Sequence, residues 1–141
     1  MARVDPYRNF QFLVQIDGFS QAGFSECSGL ASEIAVIEYR EGSEPASVRK
    51  LPGRVSFHDI TLKRGVTNSR EFYDWHLAGL QGQVDRRNVV IILLDEAGNE
   101  VARWRVHNAW PRKWEGPNLN ATANEVAEET LTLTCEGIER D

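Results

Sequence analysis

Cysteine is scarce in this sequence, and its spacing excludes several classes of site. Only two cysteines occur among the 141 residues, Cys27 and Cys135. They lack the CxxC spacing of zinc and redox sites, and two are too few for a disulfide scaffold. We expect both to be small, buried thiols in strands. A disulfide between them requires neighbouring strands, which the spacing does not decide.

Long hydrophobic runs are also missing. The longest apolar run, Val89 to Leu94, is far shorter than the roughly 20 residues of a membrane-spanning helix. The segment MARVDPYRNF at the start of the sequence contains no apolar core of a signal peptide. We therefore expect a protein that folds in the cytosol and that does not itself insert into a membrane.

Positive charge is outnumbered by negative charge. Sixteen Lys and Arg stand against 21 Asp and Glu, which gives a formal net charge of -5. This balance disfavours a nonspecific nucleic-acid binder that relies on phosphate neutralisation, and it disfavours a protein of membrane surfaces. With 41% hydrophobic residues, the length suits one globular domain, residues 1–141, with a core of its own.

Motifs for catalysis and for metal binding are absent as well. Ser25 follows Gly23, but the second glycine of a nucleophile elbow is missing. Phosphate-binding loops and dinucleotide fingerprints do not occur. His58, His76 and His107 fall in different predicted elements, without HxH or HxxxH spacing. We therefore expect no enzymatic activity, no cofactor and no metal ion.

Two crowded groups of side chains have both a functional and a structural interpretation. The glutamates could form an acid/base pair or a cation site, but a strand edge kept soluble by like charges is favoured. The tryptophans and their neighbouring cations resemble a nucleic-acid stacking surface. In an acidic chain, aromatic packing with arginines at an interface is favoured. The residues concerned are Glu125, Glu128, Glu129, Trp104, Trp110, Trp114, Arg103, Arg105, Arg112 and Lys113.

Most of the sequence alternates between apolar and polar residues, which is typical of half-buried strands. We expect about seven strands on this pattern. Residues 33–40 and residues 89–94 are exceptions, because both of their faces carry apolar side chains. A strand of this kind is covered on both faces, here by a second sheet or by another subunit. Residues 89–94 are expected to form the central strand.

One segment changes to the period of a helix. Residues 68–80 place Phe72 and Trp75 on a broad apolar stripe. Asn68 and Glu71 have the spacing of a helix N-terminus, in which Asn68 accepts from a backbone amide and Glu71 reaches back. We expect a single helix over these residues, packed against the end or the flank of the sheets.

Two segments between predicted strands are irregular. Residues 41–54, EGSEPASVRKLPGR, contain two glycines, two prolines and two serines, with acids before cations. They predict a long loop or a loose hairpin, and a segment of this length is a candidate for contact with a partner. Pro111 is expected to interrupt strand pairing and to begin a turn-rich connection over residues 111–124.

Eight blocks of sequence occur in order from about Asp5 to Glu139. They are DPYRNFQFLVQIDG, QAGFSECSGL, VIEYREG, VRKLPG, ITLKRGVTNS, LLDEAGNEVARW, NAWPRKWEGPNLNA and NEVAEETLTLTCEGIE. Together they resemble the tail tube protein family of contractile phage tails and contractile injection systems, which is similar in fold to the haemolysin-coregulated tube protein of type VI secretion. The resemblance implies a mainly β fold, with two packed antiparallel sheets in a barrel-like sandwich and one flanking α-helix at about 68–80.

The resemblance also implies a structural role. Six copies would form a ring, and stacked rings would form a hollow tube that a contracting sheath drives outward. The implied partners are further copies of the chain, the sheath protein, baseplate or spike proteins, a tail terminator, and effector or DNA cargo in the lumen. Assembly would take place in the bacterial cytoplasm, as part of a phage tail or of a particle delivered outside the cell. A secreted type VI ring protein and a small-ligand-binding β-barrel are the alternatives.

By resemblance, the segment from Arg40 to Gly53 matches the extended loop through which tube subunits contact an adjacent ring. Its order of acids before bases suits repeated head-to-tail stacking. The expected ring-stacking residues are Arg40, Glu41, Gly42, Glu44, Val48, Arg49, Lys50, Leu51, Pro52, Gly53 and Arg54. The expected secondary intersubunit contacts are Asp5, Pro6, Tyr7, Arg8 and Asn9. Thr130, Thr132 and Thr134 are expected either to line the lumen or to face the sheath.

Overall fold

The structure is a computed structural model that describes residues 11–19, 23–40, 42, 48–122 and 126–141. These residues form nine strands and one helix. The elements are β1 (Gln11–Ile16), β2 (Glu26–Ser28), β3 (Ser32–Tyr39), β4 (Arg49–Phe57), β5 (Ile60–Gly65), α1 (Glu71–Leu80), β6 (Arg87–Leu94), β7 (Glu100–Glu115), β8 (Glu128–Thr134) and β9 (Gly137–Arg140). No helix among these residues is long and apolar enough to cross a membrane.

The strands form two antiparallel sheets, as the family resemblance implies. One sheet has seven strands in the order β1-β6-β7-β8-β5-β2, with β9 also paired to β7. The other contains only β3 and β4. The long strand β7 pairs with β6 and β9 along its first part and with β8 along its second part. Because β7 belongs to both halves, the large sheet folds over itself in a sandwich-like arrangement.

The core lies between the two halves of the large sheet and under the helix. Its members come from five strands of the large sheet and from α1, which together form one apolar cluster. They are Val14, Ile16, Ile60, Leu62, Phe72, Trp75, Val89, Ile91, Val106, Ala109, Leu131 and Leu133. The central position expected for residues 89–94 is confirmed, since β6 pairs with β1 on one side and with β7 on the other.

The strand count exceeds the expected seven because two predicted strands are each divided. The alternation over residues 55–63 predicts one strand, but the chain breaks at His58 and Asp59 into the end of β4 and the start of β5. The alternation over residues 125–139 likewise predicts one last strand, which breaks after Thr134 into β8 and β9. At the first break the chain changes its pairing partner, from β3 to β2 and β8. At the second break it stays paired with β7 but moves to a different part of that strand. The alternation of side chains reveals neither change.

Pro111 does not end its strand, and the turn-rich connection predicted to begin there is wrong over residues 111–115. Pro111 lies inside β7 opposite Leu133, and the register shifts between Pro111 and Lys113. Proline lacks a backbone N–H and is tolerated where a bulge interrupts the ladder. The bulge therefore allows β7 to continue from one half of the sheet into the other.

The helix begins at Glu71, three residues later than predicted, and Asn68 does not cap it. The N-cap residue is Arg70, which makes no side-chain capping hydrogen bond. The N–H of Glu71 donates instead to the Ser69 hydroxyl, at 3.4 Å. Phe72 and Trp75 are buried as expected, and the Trp75 indole N–H donates to the carbonyl of Asp85 at 2.6 Å. These contacts fix the helix against the sheet.

A buried ion pair joins the helix region to the sheet. Arg64 of β5 and Glu129 of β8 are 4% and 7% exposed, and the Arg64 Nε donates to the Glu129 carboxylate. The Trp114 indole N–H donates to the other carboxylate oxygen at 3.1 Å. The guanidinium lies 3.8 Å from the centroid of the Phe72 ring and donates to the Ser69 carbonyl at 3.4 Å. The solvated edge expected for Glu129 is therefore wrong, because a buried charge needs a partner of this kind.

The small sheet continues from the large one at a close crossing of two backbone segments. The chain passes from β2 to β3 through residues 29–31, and from β4 to β5 through residues 58–59. Gly29 has a φ of +95°, and a Cβ at this position would lie 2.0 Å from the carbonyl oxygen of Asp59. The N–H of His58 donates to the carbonyl of Ala31 at 3.0 Å. The crossing therefore requires glycine and holds the base of the β3–β4 hairpin.

Substitution of Gly29 by alanine tests this crossing. We expect Gly29→Ala to lower the free energy of unfolding by about 3 kcal/mol or more, because strain at a positive φ is joined by a backbone clash. The matched control is Gly98→Ala. Gly98 has a φ of +85° with no atom within 4 Å of the added Cβ, so the expected loss is about 1 kcal/mol. Urea denaturation measures both, and equal losses would show that the close approach has no energetic weight.

Candidate functional site

The β3–β4 ribbon, formed by Ser32–Tyr39 and Arg49–Phe57, exposes apolar side chains that a monomer would bury. Every residue of β3 is exposed. Six large apolar residues of the two strands have exposed fractions between 46% and 62%: Ile34, Val36, Ile37, Tyr39, Leu51 and Val55. No ribbon residue belongs to the core cluster or packs against it. Clusters of exposed apolar side chains of this kind mark interaction sites.

The register of the ribbon assigns these side chains to two opposite faces. Residues that pair directly across antiparallel strands point to the same side, and alternate residues point to opposite sides. On the first face, Ile34 pairs with Val55 and Val36 pairs with Pro52. On the second face, Ile37 pairs with Leu51 and Tyr39 pairs with Arg49. Each face is thus apolar at its centre.

A bulge in β4 explains the Pro-Gly pair at its middle. Between Ile34 and Val36 the strand β3 advances two residues, while β4 advances three, from Val55 to Pro52. A Cβ on Gly53 would lie 3.0 Å from both the carbonyl oxygen of Ala35 and the Ile37 side chain. Glycine therefore allows β4 to approach β3 at the bulge, and such bulges increase the local twist of a ribbon.

The ribbon differs in charge from the rest of the chain. Its two strands contain Arg49, Lys50 and Arg54 against Glu33 and Glu38, a formal charge of +1. Because the whole chain has a charge of -5, the remainder has -6. Lys50 lies opposite Glu38 in the register. The ribbon is therefore a slightly basic element attached to an acidic body.

A hydrogen-bonding contact lies at the base of the ribbon. The His58 Nε2 is 3.3 Å from a carboxylate oxygen of Glu33, and both side chains are at least half exposed. Nearby, Arg112 of β7 pairs with Asp59. These contacts lie beside the Gly29 crossing, so the position of the ribbon relative to the body is defined at its base.

The structure brings together most of the expected ring-stacking residues. The sequence predicts either a long loop or a loose hairpin for residues 41–54. The described part of this segment belongs to a hairpin, since residues 49–54 lie in β4. The exposed residues there are Arg40, Gly42, Val48, Arg49, Lys50, Leu51, Pro52 and Arg54, with Gly53 half-buried. Glu41 and Glu44 lie outside the described residues, as do Asp5, Pro6, Tyr7, Arg8 and Asn9.

The expected set of stacking residues omits the other half of the same surface. Ile34, Val36 and Ile37 on β3 form the ribbon jointly with β4 but do not occur in that set. Their signal is present in the sequence, because residues 33–40 are apolar on both faces. The pairing of β3 with β4 shows that these residues share one surface with the segment that follows them, and the sequence alone does not contain this pairing.

The histidines are dispersed among different contacts. His76 Nδ1 donates to the carbonyl of Pro111 at 3.1 Å, and His107 Nε2 lies 3.1 Å from a carboxylate oxygen of Glu139. His58 pairs with Glu33 at the ribbon. Within the described ranges, no group of three or more His, Cys, Asp or Glu side chains could hold a metal ion.

The tryptophans contribute to packing, as favoured from the sequence. Trp104 and Trp114 pack against the core cluster, and the ring of Trp114 meets that of Tyr73 edge-on, with centroids 5.0 Å apart. The neighbouring arginines form ion pairs within the chain. These pairs are Arg103 with Glu100, Arg105 with Asp141 and Arg112 with Asp59.

Comparisons with known proteins agree with this architecture. Residues 8–139 match the family model described as T4-like virus tail tube protein gp19. A chain of the anti-feeding prophage cap, the AFP tube-terminating cap, is 32% identical with a TM-score of 0.89, over 100% of this chain and 94% of that one. A chain of the sheath-tube complex of PVC, an extracellular contractile injection system in its extended state, is 30% identical with a TM-score of 0.87, over 96% and 91%.

More distant structures share the fold alone. Hcp1 from Flavobacterium johnsoniae is 14% identical with a TM-score of 0.62, over 93% of this chain and 94% of that one. No curated protein sequence matches the chain.

Both cysteines are free thiols. Cys27 lies in β2 opposite Leu62, and both Cys27 and Cys135 are half-buried free thiols. Burial raises the pKa of Cys27 from 9.0 to about 11, and burial also raises the pKa of Cys135.

Alkylation kinetics test the environment of Cys27. Near pH 8 we expect its reaction with iodoacetamide to be about a hundredfold slower than that of a thiol with the ordinary pKa, because the thiolate reacts. The rate should rise steadily as the pH approaches about 11, whereas an exposed cysteine introduced by Ala97→Cys should level off near its ordinary pKa. Peptide mass spectrometry resolves the sites. Equal rates at Cys27 and at the introduced cysteine would contradict the burial.

Proposed function

Because this chain belongs to the T4-like virus tail tube protein gp19 family, we propose that six copies form a ring and that rings stack into the hollow inner tube of a contractile injection particle. As a member of this family, the chain is a structural tube subunit. On this proposal the chain is a single domain that performs no catalysis. The sheath moves the assembled tube, and the lumen conducts effector or DNA cargo.

The exposed β3–β4 ribbon is the observation that carries this proposal. A two-stranded hairpin is marginally stable in water, and three or more strands or a packing partner are needed for independent stability. Among the residues that the structure describes, none of the ribbon packs against the core. Contacts between different surfaces of identical subunits either close into rings or continue as filaments. A tube built of stacked rings contains both kinds of contact.

Charge favours a second copy of this chain as the partner of the ribbon. The ribbon has a formal charge of +1 and the rest of each copy has -6, so a ribbon is attracted to the body of another copy. We propose that the segment from Arg40 to Arg54 contacts the adjacent ring. Asp5, Pro6, Tyr7, Arg8 and Asn9 are proposed as additional intersubunit contacts.

The similar structures suggest the further partners. One contains a tube with its sheath, another a cap that terminates a tube, and a third a baseplate. We propose that this chain likewise assembles with sheath, terminator and baseplate proteins, in the bacterial cytoplasm, before delivery. The closer likeness to AFP and PVC chains than to Hcp1 favours a phage-tail-like particle over a secreted type VI ring.

Negative-stain electron microscopy of the purified chain tests the proposed function. We expect hollow rings and tubes from the unaltered chain. The double variant Arg49→Glu, Lys50→Glu should remain folded and soluble but form no long tubes, because the reversal places acids against an acidic neighbouring body. Size-exclusion chromatography and the thermal unfolding midpoint check that its subunits stay intact.

The matched control reverses two exposed cations outside the ribbon, in the variant Arg86→Glu, Lys113→Glu. It makes the same change in net charge and should still form long tubes. Featureless monomers from the unaltered chain would overturn the tube proposal. Tubes of normal length from the Arg49 and Lys50 variant would overturn the proposed role of these residues in stacking.

A further inference from the structure

We propose that the two faces of the β3–β4 ribbon are covered by two different copies of the chain, so that the ribbon is inserted at the junction between them. This inference rests on the proposed tube function and specifies the partner of the same surface. One ribbon then joins three subunits: the copy that supplies it and the two copies between which it lies.

The distribution of apolar side chains is the first reason. On the first face, Ile34, Val36 and Val55 are 57%, 62% and 55% exposed. On the second face, Ile37 and Leu51 are 53% and 46% exposed. A ribbon that lies flat on one surface has one apolar and one polar face. Since both faces expose apolar side chains to about half or more, a cover is needed on each side.

The separation of the two covers is the second reason. Layers of sheet pack about 10 Å apart face to face, so covers on opposite faces of a ribbon lie about 20 Å apart. One copy would have to contain a cleft of that width. Two cavities in the described part of this chain have volumes of about 460 and 330 Å³, the size of a small-ligand site. A junction between two copies supplies a groove that these cavities do not.

The base of the ribbon is the third reason. The backbone crossing at Gly29 and Asp59 and the hydrogen bond from His58 to Ala31 fix the direction in which the ribbon leaves the body. Because no ribbon residue belongs to the core cluster or packs against it, the part of the body that the structure describes covers neither face of the ribbon. Both faces are therefore available to other copies.

The chemistry of the two faces also differs, which suits two different contact surfaces. Beyond its aliphatic centre, the first face ends in the pair Glu38 and Lys50, whereas the second ends in Tyr39 and Arg49. The slightly basic ribbon matches acidic bodies on both sides. The two copies present different parts of their surface to it, because identical subunits in a ring are related by rotation.

Photo-crosslinking in tubes that contain only a few labelled chains tests this inference. Benzoylphenylalanine is placed at Val36 on the first face, at Ile37 on the second face, or at both positions. Each labelled chain is assembled into tubes with a large excess of unlabelled chain, so that its neighbours are almost always unlabelled. Irradiation is followed by denaturing electrophoresis and mass spectrometry. Thermal unfolding and electron microscopy check that labelled chains fold and enter tubes.

The inference predicts a three-chain product from the doubly labelled chain and only two-chain products from either singly labelled chain. The two single labels should also attach to different peptides of the neighbouring copies. If tubes form but the doubly labelled chain gives only two-chain products, one copy covers both faces, and this inference fails while the tube function stands. If no tubes form, both fail. If one face reacts only after sheath protein is added, the second partner is not this chain.

Discussion

Leaving apolar side chains in water on both faces of a two-stranded ribbon costs free energy, and the organisation of this fold follows from that cost. Such a ribbon has no interior, so its faces can be covered only by something else. Among the described residues, the body of the chain does not supply that cover. The fold therefore has two parts with different requirements: a sandwich that completes its own core, and a ribbon for which we propose completion by other copies of the chain.

The sandwich provides a rigid base for the β3–β4 ribbon. The strand β7 runs through both halves of the large sheet, and its bulge after Pro111 allows the change of direction. The buried pair of Arg64 and Glu129 ties β5 and β8 to the start of the helix and to Trp114. Replacing a buried ion pair by apolar residues is often neutral or stabilising, so the contacts of this pair are better explained by position: they hold the chain that follows β5. The ribbon leaves the opposite end of β5 at the Gly29 crossing.

Much of the fold follows from local patterns in the sequence, and the departures have a common cause. Alternation correctly predicts a mainly β fold with a central strand at residues 89–94, and helical spacing correctly predicts α1. The ion pair of Arg64 and Glu129 and the bulge at Pro111 depend on which strands are neighbours, which no local pattern contains. The sequence shows that residues 33–40 carry apolar side chains on both faces. Only the pairing of β3 with β4 shows that these side chains belong to an exposed two-stranded ribbon. The stacking role of residues 40–54 rests on family resemblance and remains a prediction.

Hydrogen–deuterium exchange, measured in the unassembled chain and in assembled tubes, tests whether the ribbon needs other copies to cover it. Backbone amides of β3 and β4 in the unassembled chain should exchange rapidly, as in an element whose opening costs little free energy. In assembled tubes the same amides should be strongly protected, while those of β6 in the core should be slow in both states. Equal protection of the ribbon before and after assembly would contradict the account, because it would mean that the ribbon is stable without a cover from other copies.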